Sequence, residues 1–311
     1  MIKKLSNAYA PSVKEEEVRK IIIKELEDFY TDIKVDSLGN LIIHKPGKYK
    51  SIAITAPMDE VSFLVTHEKS NNMLLTTSIC GVKSSTLRNL ILKDENDNSF
   101  IIDKVMNYTD EIEKIRNIEI KNINICKGEK LNNNFLAKSL IYNNTFNESN
   151  ELYIGKAMER SVCCSVLCDI ARSVVNSMYE YYFVFSAQNY CDKKGALVAT
   201  YNLEIDELYN LCCVDSDKDS VEIGKGPVIV LRDKMLISDK DLVEEFSIYS
   251  HIQKLISSNF VSEGGYYQKQ HTTQKIISVG LAVDFLGCFN EVVSKKDVNE
   301  LKSIILEKVL P

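Results

Sequence analysis

Side chains with carboxyl, amide or phenol groups follow the most strand-like runs of this sequence within a few residues. Asp59 follows one such run, and Asp215 directly follows another. Asn189 and Tyr190 follow a third run, whereas Glu159 precedes a helical stretch. Carboxylates gathered at one place could bind a divalent metal or transfer protons. Each could equally cap a helix or contact solvent, and the pattern alone leaves both interpretations open.

The elements that would position these side chains alternate between strand and helix. Strand-like runs occupy residues 51–55, 182–186 and 275–283, and helical stretches occupy residues 162–178 and 295–309. This alternation predicts an open α/β sheet with helices on both faces. In such sheets, functional residues gather at the carboxyl ends of the strands.

Local signals predict three further helices. Ser12, with Glu15 three residues on, predicts an N-terminal capping box for a helix that reaches Tyr30. Residues 195–201 are predicted to be helical, and residues 239–259 are predicted to form one long amphipathic helix.

The sequence changes in texture from about residue 67 to residue 151. Short β-branched runs alternate there with turns rich in Asn and Lys, and the one helical stretch is at 108–115. This texture predicts a small all-β unit inserted into a larger fold. We therefore expect an α/β domain formed by residues 1–66 plus 152–311, and an inserted β-rich domain formed by residues 67–151.

Composition and charge argue against several classes of function. The 311 residues carry a net charge of −6 and are 45% hydrophobic, which is typical of a globular protein and not of a nucleic-acid binder. No apolar run reaches the roughly 18 residues of a membrane span, and the first residues lack a secretory signal. Nine cysteines, an odd number without a C-x-x-C motif, favour reduced thiols in a cytoplasmic protein.

Seven segments resemble those of one enzyme family in order and spacing. They are LSNAYAPSVKEEEVRKII (5–22), VDSLGNLII (35–43), ITAPMDEVSFLV (54–65), IGKAMERSVCC (154–164), AQNYCDKKGA (187–196), CCVDSD (212–217) and IGKGPVIVLRD (223–233). Together they resemble the M42 metallo-aminopeptidases. That family includes glutamyl aminopeptidases, deblocking aminopeptidases and proteins labelled endoglucanase. The resemblance covers nearly the whole chain.

The resemblance implies a three-layer α/β/α sandwich of the zinc-peptidase kind. A small β-barrel domain of the dimerisation type would be inserted after residues 54–65, which agrees with the change of texture near His67. The family usually assembles into tetrahedral dodecamers built from dimers. A homo-oligomer is therefore expected.

The resemblance also implies a site for two divalent metals, zinc or cobalt, with a glutamate as general base. The family's first-site His falls on Pro57, and its bridging Asp falls on Glu159. Its second-site Glu falls on Tyr190, and its C-terminal His falls on Gly287. The general-base Glu falls on Asn189, whose amide cannot accept a proton at neutral pH.

Carboxylates are retained at the other matching positions. The remaining Asp of the first metal site is kept as Asp215, and an Asp-Glu pair of the family is kept as Asp59 and Glu60. Glu159 keeps a carboxylate that is one methylene longer than the family's. Asp215 and Glu159 are thus the vestigial metal ligands, and an oxygen-only site of this kind would hold a cation weakly.

These losses predict a protein with the family fold and without the family chemistry. We expect no resident cofactor beyond weak residual metal binding, and we assign no catalytic residue. The chain would be a binding, regulatory or structural subunit, as a homo-oligomer or in co-assembly with an active paralogue, with a peptide as its ligand. The alternative is a weak or altered metal-dependent aminopeptidase or hydrolase, in which cysteines or carboxylates have rebuilt the site.

Overall fold

The computed structural model describes residues 1–69, 73–80, 82, 86–106, 117–122, 134–216, 220–270 and 273–311. The helix predicted at 108–115 lies outside these residues. None of the helices in the described part of the chain is long and apolar enough to cross a membrane.

The described part of the chain contains strands and helices in the following order. The strands are β1 (Asp32–Val35), β2 (Leu41–Lys45), β3 (Ser51–Pro57), β4 (Ser62–Lys69), β5 (Met73–Ser78), β6 (Ile91–Lys93), β7 (Ser99–Met106), β8 (Asn117–Asn122), β9 (Ser139–Tyr142), β10 (Asn147–Glu148), β11 (Leu152–Gly155), β12 (Glu180–Ser186), β13 (Ile205–Asp215), β14 (Val228–Arg232), β15 (Gln253–Ile256), β16 (Thr273–Val283) and β17 (Glu291–Ser294). The helices are α1 (Ile2–Asn7), α2 (Glu16–Leu26), α3 (Met158–Ser173), α4 (Lys240–Phe246), α5 (Gly264–Gln268) and α6 (Lys295–Val309).

The main sheet has eight strands in the order β1-β2-β12-β3-β13-β16-β14-β15. Its central strands β12, β3, β13 and β16 are parallel to one another, whereas β2 and β14 run antiparallel to their central neighbours. All seven residues of β3 are buried. A strand that is apolar on both faces must be covered by a layer on each side.

Packing on the two faces of the sheet produces three layers. Ile52 and Ile54 of β3 belong to the core that includes α1, α2, α3 and α6. Ala53, which points to the opposite face, belongs to a second core with Tyr267 of α5 and Ala196 from the turns that follow β12. The predicted three-layer α/β/α sandwich is therefore confirmed.

Six strands form a closed barrel in the order β4-β5-β8-β7-β6-β9. Its interior holds a separate apolar core that includes Phe63, Leu92, Phe100 and Leu140. The barrel follows β3 in the chain, so the inserted barrel of the predicted fold is confirmed. The domain bounds at residues 66, 67, 151 and 152 stay a prediction. A small third sheet has the order β10-β11-β17.

Two of the predicted helices are wrong. The stretch 239–259 contains the short helix α4, then turns, and then β15 at the edge of the main sheet. The apolar residues of this stretch are divided between α4 and β15. Ile248 and Ile256 are 70% and 71% exposed, so the stretch has no continuous buried apolar face. Residues 195–201 form successive turns, with two N–H groups bonded to the Gly195 carbonyl.

The capping box predicted at Ser12 is also wrong. The N-cap residue of α2 is Glu15, and no side chain caps this helix end. The Ser12 hydroxyl instead donates to Asp59, and Glu15 accepts from the backbone N–H groups of Val13 and Gln188. Tertiary contacts with the ends of β3 and β12 have replaced the local cap.

Candidate functional site

The carboxyl ends of the central parallel strands meet at one edge of the sheet. Pro57, the last residue of β3, is paired with Ser186 of β12. Asp215, the last residue of β13, is paired with Val283 of β16. The loops that follow these strands carry the side chains singled out in the sequence, so the structure brings these segments together at this edge.

Asp59 links the end of β3 to the loop after β12. Its Oδ2 accepts from the Ser12 hydroxyl at 2.5 Å and from the backbone N–H of Tyr190 at 2.9 Å. Its Oδ1 is buried and has no hydrogen-bond partner among the described residues. Burial raises the pKa of Asp59 to about 7. This carboxyl group therefore titrates near neutral pH.

The side chains of Tyr190 and Glu159 contact each other. The Tyr190 hydroxyl donates to Glu159 Oε2 at 3.1 Å, and the backbone N–H of Cys213 donates to Oε1 at 3.3 Å. Burial raises the pKa of Glu159, although the ammonium of Lys193 and these two hydrogen bonds oppose that shift. Burial and the nearby Glu159 charge raise the pKa of Tyr190 well above its ordinary value, so its phenol stays protonated and acts as a donor.

The side-chain amide of Asn189 is hydrogen-bonded to a lysine. Lys193 Nζ donates to Asn189 Oδ1 at 2.7 Å. Gln188, Asp192 and Lys193 have φ values of 57°, 57° and 51°, so three residues of this loop adopt the left-handed conformation. Non-glycine residues rarely adopt it, because it costs about 1–2 kcal/mol per residue. The strained loop directs Lys193 toward Asn189 while Lys194 stays exposed.

Pro57 and Gly287 contribute only backbone groups. The Pro57 carbonyl accepts from the Cys164 thiol at 3.2 Å. The Gly287 N–H donates to Glu291 Oε1 at 2.7 Å, and the Met158 N–H donates to Glu291 Oε2 at 2.5 Å. Burial raises the pKa of Glu291 to about 8. Glu291 thus connects the start of α3 with the loop after β16.

Asp215 lies at the surface, unlike the buried Asp59. It is exposed, and its Oδ1 accepts from the backbone N–H of Leu286 at 3.3 Å. It lines a cavity of about 420 Å³ together with Leu255 and Phe260. Asp215 follows Cys213 by two residues on β13, so the strand places it near the backbone group that contacts Glu159.

Glu60 forms a buried ion-pair cluster beside the site. Its carboxylate contacts Lys156 Nζ at 2.6 Å and Arg160 Nη1 at 3.1 Å, and each of these side chains is 1% exposed. Both cations also donate to the backbone carbonyl of Ala8, and the Ala10 N–H donates to Glu60. The retained Glu60 therefore anchors the N-terminal segment.

Sequence reasoning missed Lys193, Glu263 and Glu291. Glu263 is buried, and both of its oxygens accept from the Ser186 hydroxyl, at 2.8 and 2.7 Å. Burial raises the pKa of Glu263 to about 7. Its signal in the sequence was the adjacent pair Gly264–Gly265, whereas nothing in the sequence marked Lys193 as different from Lys194.

The cysteines near the site are buried thiols. A hydrogen bond with Cys213, together with burial, raises the pKa of Cys163 well above its ordinary value. Burial raises the pKa of Cys164 and Cys212 in the same direction. Within the part of the chain that the structure describes, no three His, Cys, Asp or Glu side chains are placed to hold one metal ion.

A three-layer sandwich with an inserted barrel and loops converging at the carboxyl edge defines a zinc-peptidase-like protein. The chain matches the family model described as M42 glutamyl aminopeptidase over residues 39–304, and it belongs to that family. The resemblance found in the sequence is therefore confirmed.

Relatives and solved structures agree with this assignment. The chain is 24% identical to a "Putative aminopeptidase" of Acetivibrio thermocellus, over 99% of this chain and 97% of the relative. It is also 24% identical to "Putative aminopeptidase FrvX" of Escherichia coli, over 98% and 93%. The TET1 peptidase of Pyrococcus horikoshii superposes with a TM-score of 0.84 at 20% identity, over 99% of this chain and 98% of that one. An aminopeptidase of Desulfurococcus kamchatkensis gives 0.86 at 18% identity, over 99% and 93%.

Proposed function

We propose that this chain is a non-catalytic member of the M42 family. It keeps the fold in two domains, residues 1–66 plus 152–311 and residues 67–151, and it acts as a binding, regulatory or structural subunit. The observation that carries the proposal is a pair of side-chain hydrogen bonds in the site. The Tyr190 hydroxyl donates to Glu159, and Lys193 donates to Asn189. Each of these contacts uses a side chain where the family's chemistry needs a metal ligand or a base.

The donor set at the family's metal positions does not fit two divalent ions. Pro57 and Gly287 have no donor atom in their side chains. Tyr190 stays protonated because burial raises the pKa of its phenol well above the ordinary value. The carboxylates of Glu159 and Asp215 remain, and two oxygen ligands would hold a cation only weakly. This donor set therefore does not support a metal-dependent catalytic step.

The loss of the base is a separate obstacle to peptide hydrolysis. Asn189 cannot take a proton from an attacking water, and a positioned general base contributes about 100- to 10,000-fold in rate. Asp59 has a carboxyl group that titrates near neutral pH, but it is held by Ser12 and by the Tyr190 backbone. These contacts, and the 2% exposure of Asp59, support a structural role.

We further propose that the chain acts within an assembly in the cytoplasm. A solved relative is described as a dodecamer, and that TET1 peptidase is described as assembling into a tetrahedron or an octahedral shell. The present chain would form a homo-oligomer or co-assemble with an active paralogue, and a peptide is the ligand that its crevice would bind. Nine cysteines without a C-x-x-C motif support a reducing compartment.

Metal content is the measurement that tests the loss of chemistry. The purified chain is incubated with zinc or cobalt at neutral pH and desalted, and bound metal is measured by mass spectrometry. We expect close to zero equivalents of bound metal per chain. Asp215→Asn should reduce any weak binding that is left. About two equivalents per chain would overturn the proposal and support the alternative, a metal-dependent aminopeptidase or hydrolase. A screen of aminopeptidase substrates on the same sample checks activity directly.

Co-expression tests the partner. A tagged copy of this chain is expressed with an untagged copy and with an active paralogue from the same source, and the complexes are purified through the tag. Recovery of the paralogue in stoichiometric amounts supports co-assembly. Recovery of only the untagged copy of this chain would reject co-assembly and leave the homo-oligomer.

A further inference from the structure

The open end of the β1–β2 hairpin holds a histidine between two carboxylates. His44 of β2 is paired with Asp32 of β1 on one side and with Tyr182 of β12 on the other. Its Nδ1 lies 3.0 Å from Asp32 Oδ2, and its Nε2 lies 2.9 Å from Glu180 Oε1. Both nitrogens of one imidazole ring therefore contact a carboxylate oxygen. The ring links β1, the edge strand of the main sheet, to β12 across β2.

The surrounding groups leave both carboxylates as acceptors. Among the described residues, the charged or titratable groups that face His44, directly or through one carboxylate, are Asp32 and Lys34 on β1 and Glu180 and Tyr182 on β12. Contacts with Lys34 and His44 hold the pKa of Asp32 below its ordinary value. Burial and the Glu180 charge raise the pKa of Tyr182 to about 12, so the Tyr182 hydroxyl donates to Glu180, at 3.1 Å.

Only the protonated ring can satisfy both contacts. A neutral imidazole has one N–H, and its other nitrogen is an acceptor, which a carboxylate oxygen cannot serve. An imidazolium donates from both nitrogens, and each of the two hydrogen bonds is then charge-assisted. The Tyr182 ring stacks on His44 with centroids 4.6 Å apart, and the His44 side chain is 23% exposed, so water screens these contacts only in part.

We propose that His44 is a protonation-dependent clasp between β1 and β12. The imidazolium holds Asp32 and Glu180 at the same time, whereas the neutral ring holds only one of them. Because the folded chain favours the charged ring, the clasp stabilises the sheet edge at low pH, and this contribution is lost as pH rises through the titration of the ring. The inference does not rest on the proposed loss of catalysis.

The same hairpin holds the loop after β12 at its other end. The Asn40 side chain accepts from the Ala187 N–H at 2.8 Å and donates to the Gly195 carbonyl at 3.0 Å. The clasp and these two hydrogen bonds thus fix opposite ends of one short hairpin. We expect that release of the clasp also loosens residues 187–195.

Nitrogen NMR of the His44 ring tests the clasp. The two ring nitrogens of an imidazolium give signals close together, and those of a neutral ring give signals far apart. In Glu180→Gln, the pH midpoint of this change should fall by about half a pH unit or more, because one charge-assisted hydrogen bond is lost. Glu204→Gln alters an exposed glutamate and is the matched control, which should keep the parent's midpoint. An unchanged midpoint in Glu180→Gln would overturn the proposal.

Amide hydrogen exchange tests the consequence for the sheet edge. At about pH 6, His44→Gln should speed exchange in β1 about fivefold relative to the parent, and at about pH 8 the ratio should fall below about twofold. His251→Gln alters an exposed histidine and should leave exchange in β1 unchanged. The same ratio for His44→Gln at both pH values would contradict the clasp. An effect that stops at β1 and spares residues 187–195 would contradict the link to the crevice loop.

Discussion

At the scale of single residues, Glu60 is the centre of a buried cluster of charges. Two fully buried cations, Lys156 and Arg160, depend on it for their ion pairs. Burial raises the pKa of a carboxyl group, but Arg160 and Lys156 reverse this effect and hold the pKa of Glu60 below its ordinary value. The cluster ties the loop after β3 to α3 and, through the Ala8 and Ala10 backbone, to the N-terminal segment.

We predict that Glu60→Gln lowers the free energy of unfolding by about 3–5 kcal/mol, because it leaves two buried cations without a counter-charge. Glu95→Gln is the matched control. Glu95 also forms an ion pair, with Lys14 at 2.7 Å, but both side chains are 40% exposed, so the loss should stay below about 1 kcal/mol. Urea unfolding followed by circular dichroism measures both. Equal losses in the two variants would contradict the assignment of Glu60 as a structural anchor.

The site residues that sequence reasoning identified are those whose positions follow from strand ends. Asp59, Tyr190 and Asp215 each lie just beyond or at the end of a central strand, and parallel strands bring such positions together. The direction of a side chain on a loop does not follow from strand ends. Lys193 reaches Asn189 because of a left-handed backbone, and nothing in the residue types predicts such a conformation outside glycine and asparagine.

At the scale of elements, prediction succeeded where one element accounts for a whole apolar pattern. The final helix was predicted at 295–309, and α6 has those bounds. The run at 275–283 lies within β16, and the run at 51–55 lies within β3. The prediction of one helix over 239–259 failed because this stretch contains a helix and an edge strand. A window of helical length averages the apolar patterns of the two elements.

We predict that Ser294→Ala lowers the free energy of unfolding by about 1 kcal/mol, because Ser294 caps α6. Its hydroxyl accepts from the backbone N–H of Asp297 at 3.2 Å. Ser303→Ala is the matched control, since Ser303 is an exposed residue of the same helix and alanine is the better helix former. Chemical denaturation of both variants provides the comparison. A loss at Ser303 as large as the loss at Ser294 would show that the cap contributes nothing specific.

At the scale of the whole molecule, the buried carboxyl groups determine how stability responds to pH. Burial raises the pKa of Asp59 and Glu263 to about 7 and that of Glu291 to about 8. In the unfolded chain the pKa of these groups is about 4. Between these values the folded state binds more protons than the unfolded state, so stability must fall as pH rises. Lys156, whose pKa burial lowers to about 8, changes charge only at the upper end of this window.

We therefore predict that the free energy of unfolding is at least about 2 kcal/mol higher at pH 5.5 than at pH 8.0, since one pKa unit corresponds to about 1.4 kcal/mol. Urea midpoints measured across this range, at constant ionic strength, give the slope. Glu263→Gln should make the slope shallower because it removes one of the titrating groups, and Glu204→Gln, which alters an exposed glutamate, should leave the slope unchanged. A stability that rises between pH 5.5 and pH 8.0 would mean that these carboxyl groups are ionised in the folded chain. A nearby positive charge, such as a bound divalent cation, would then have to balance them.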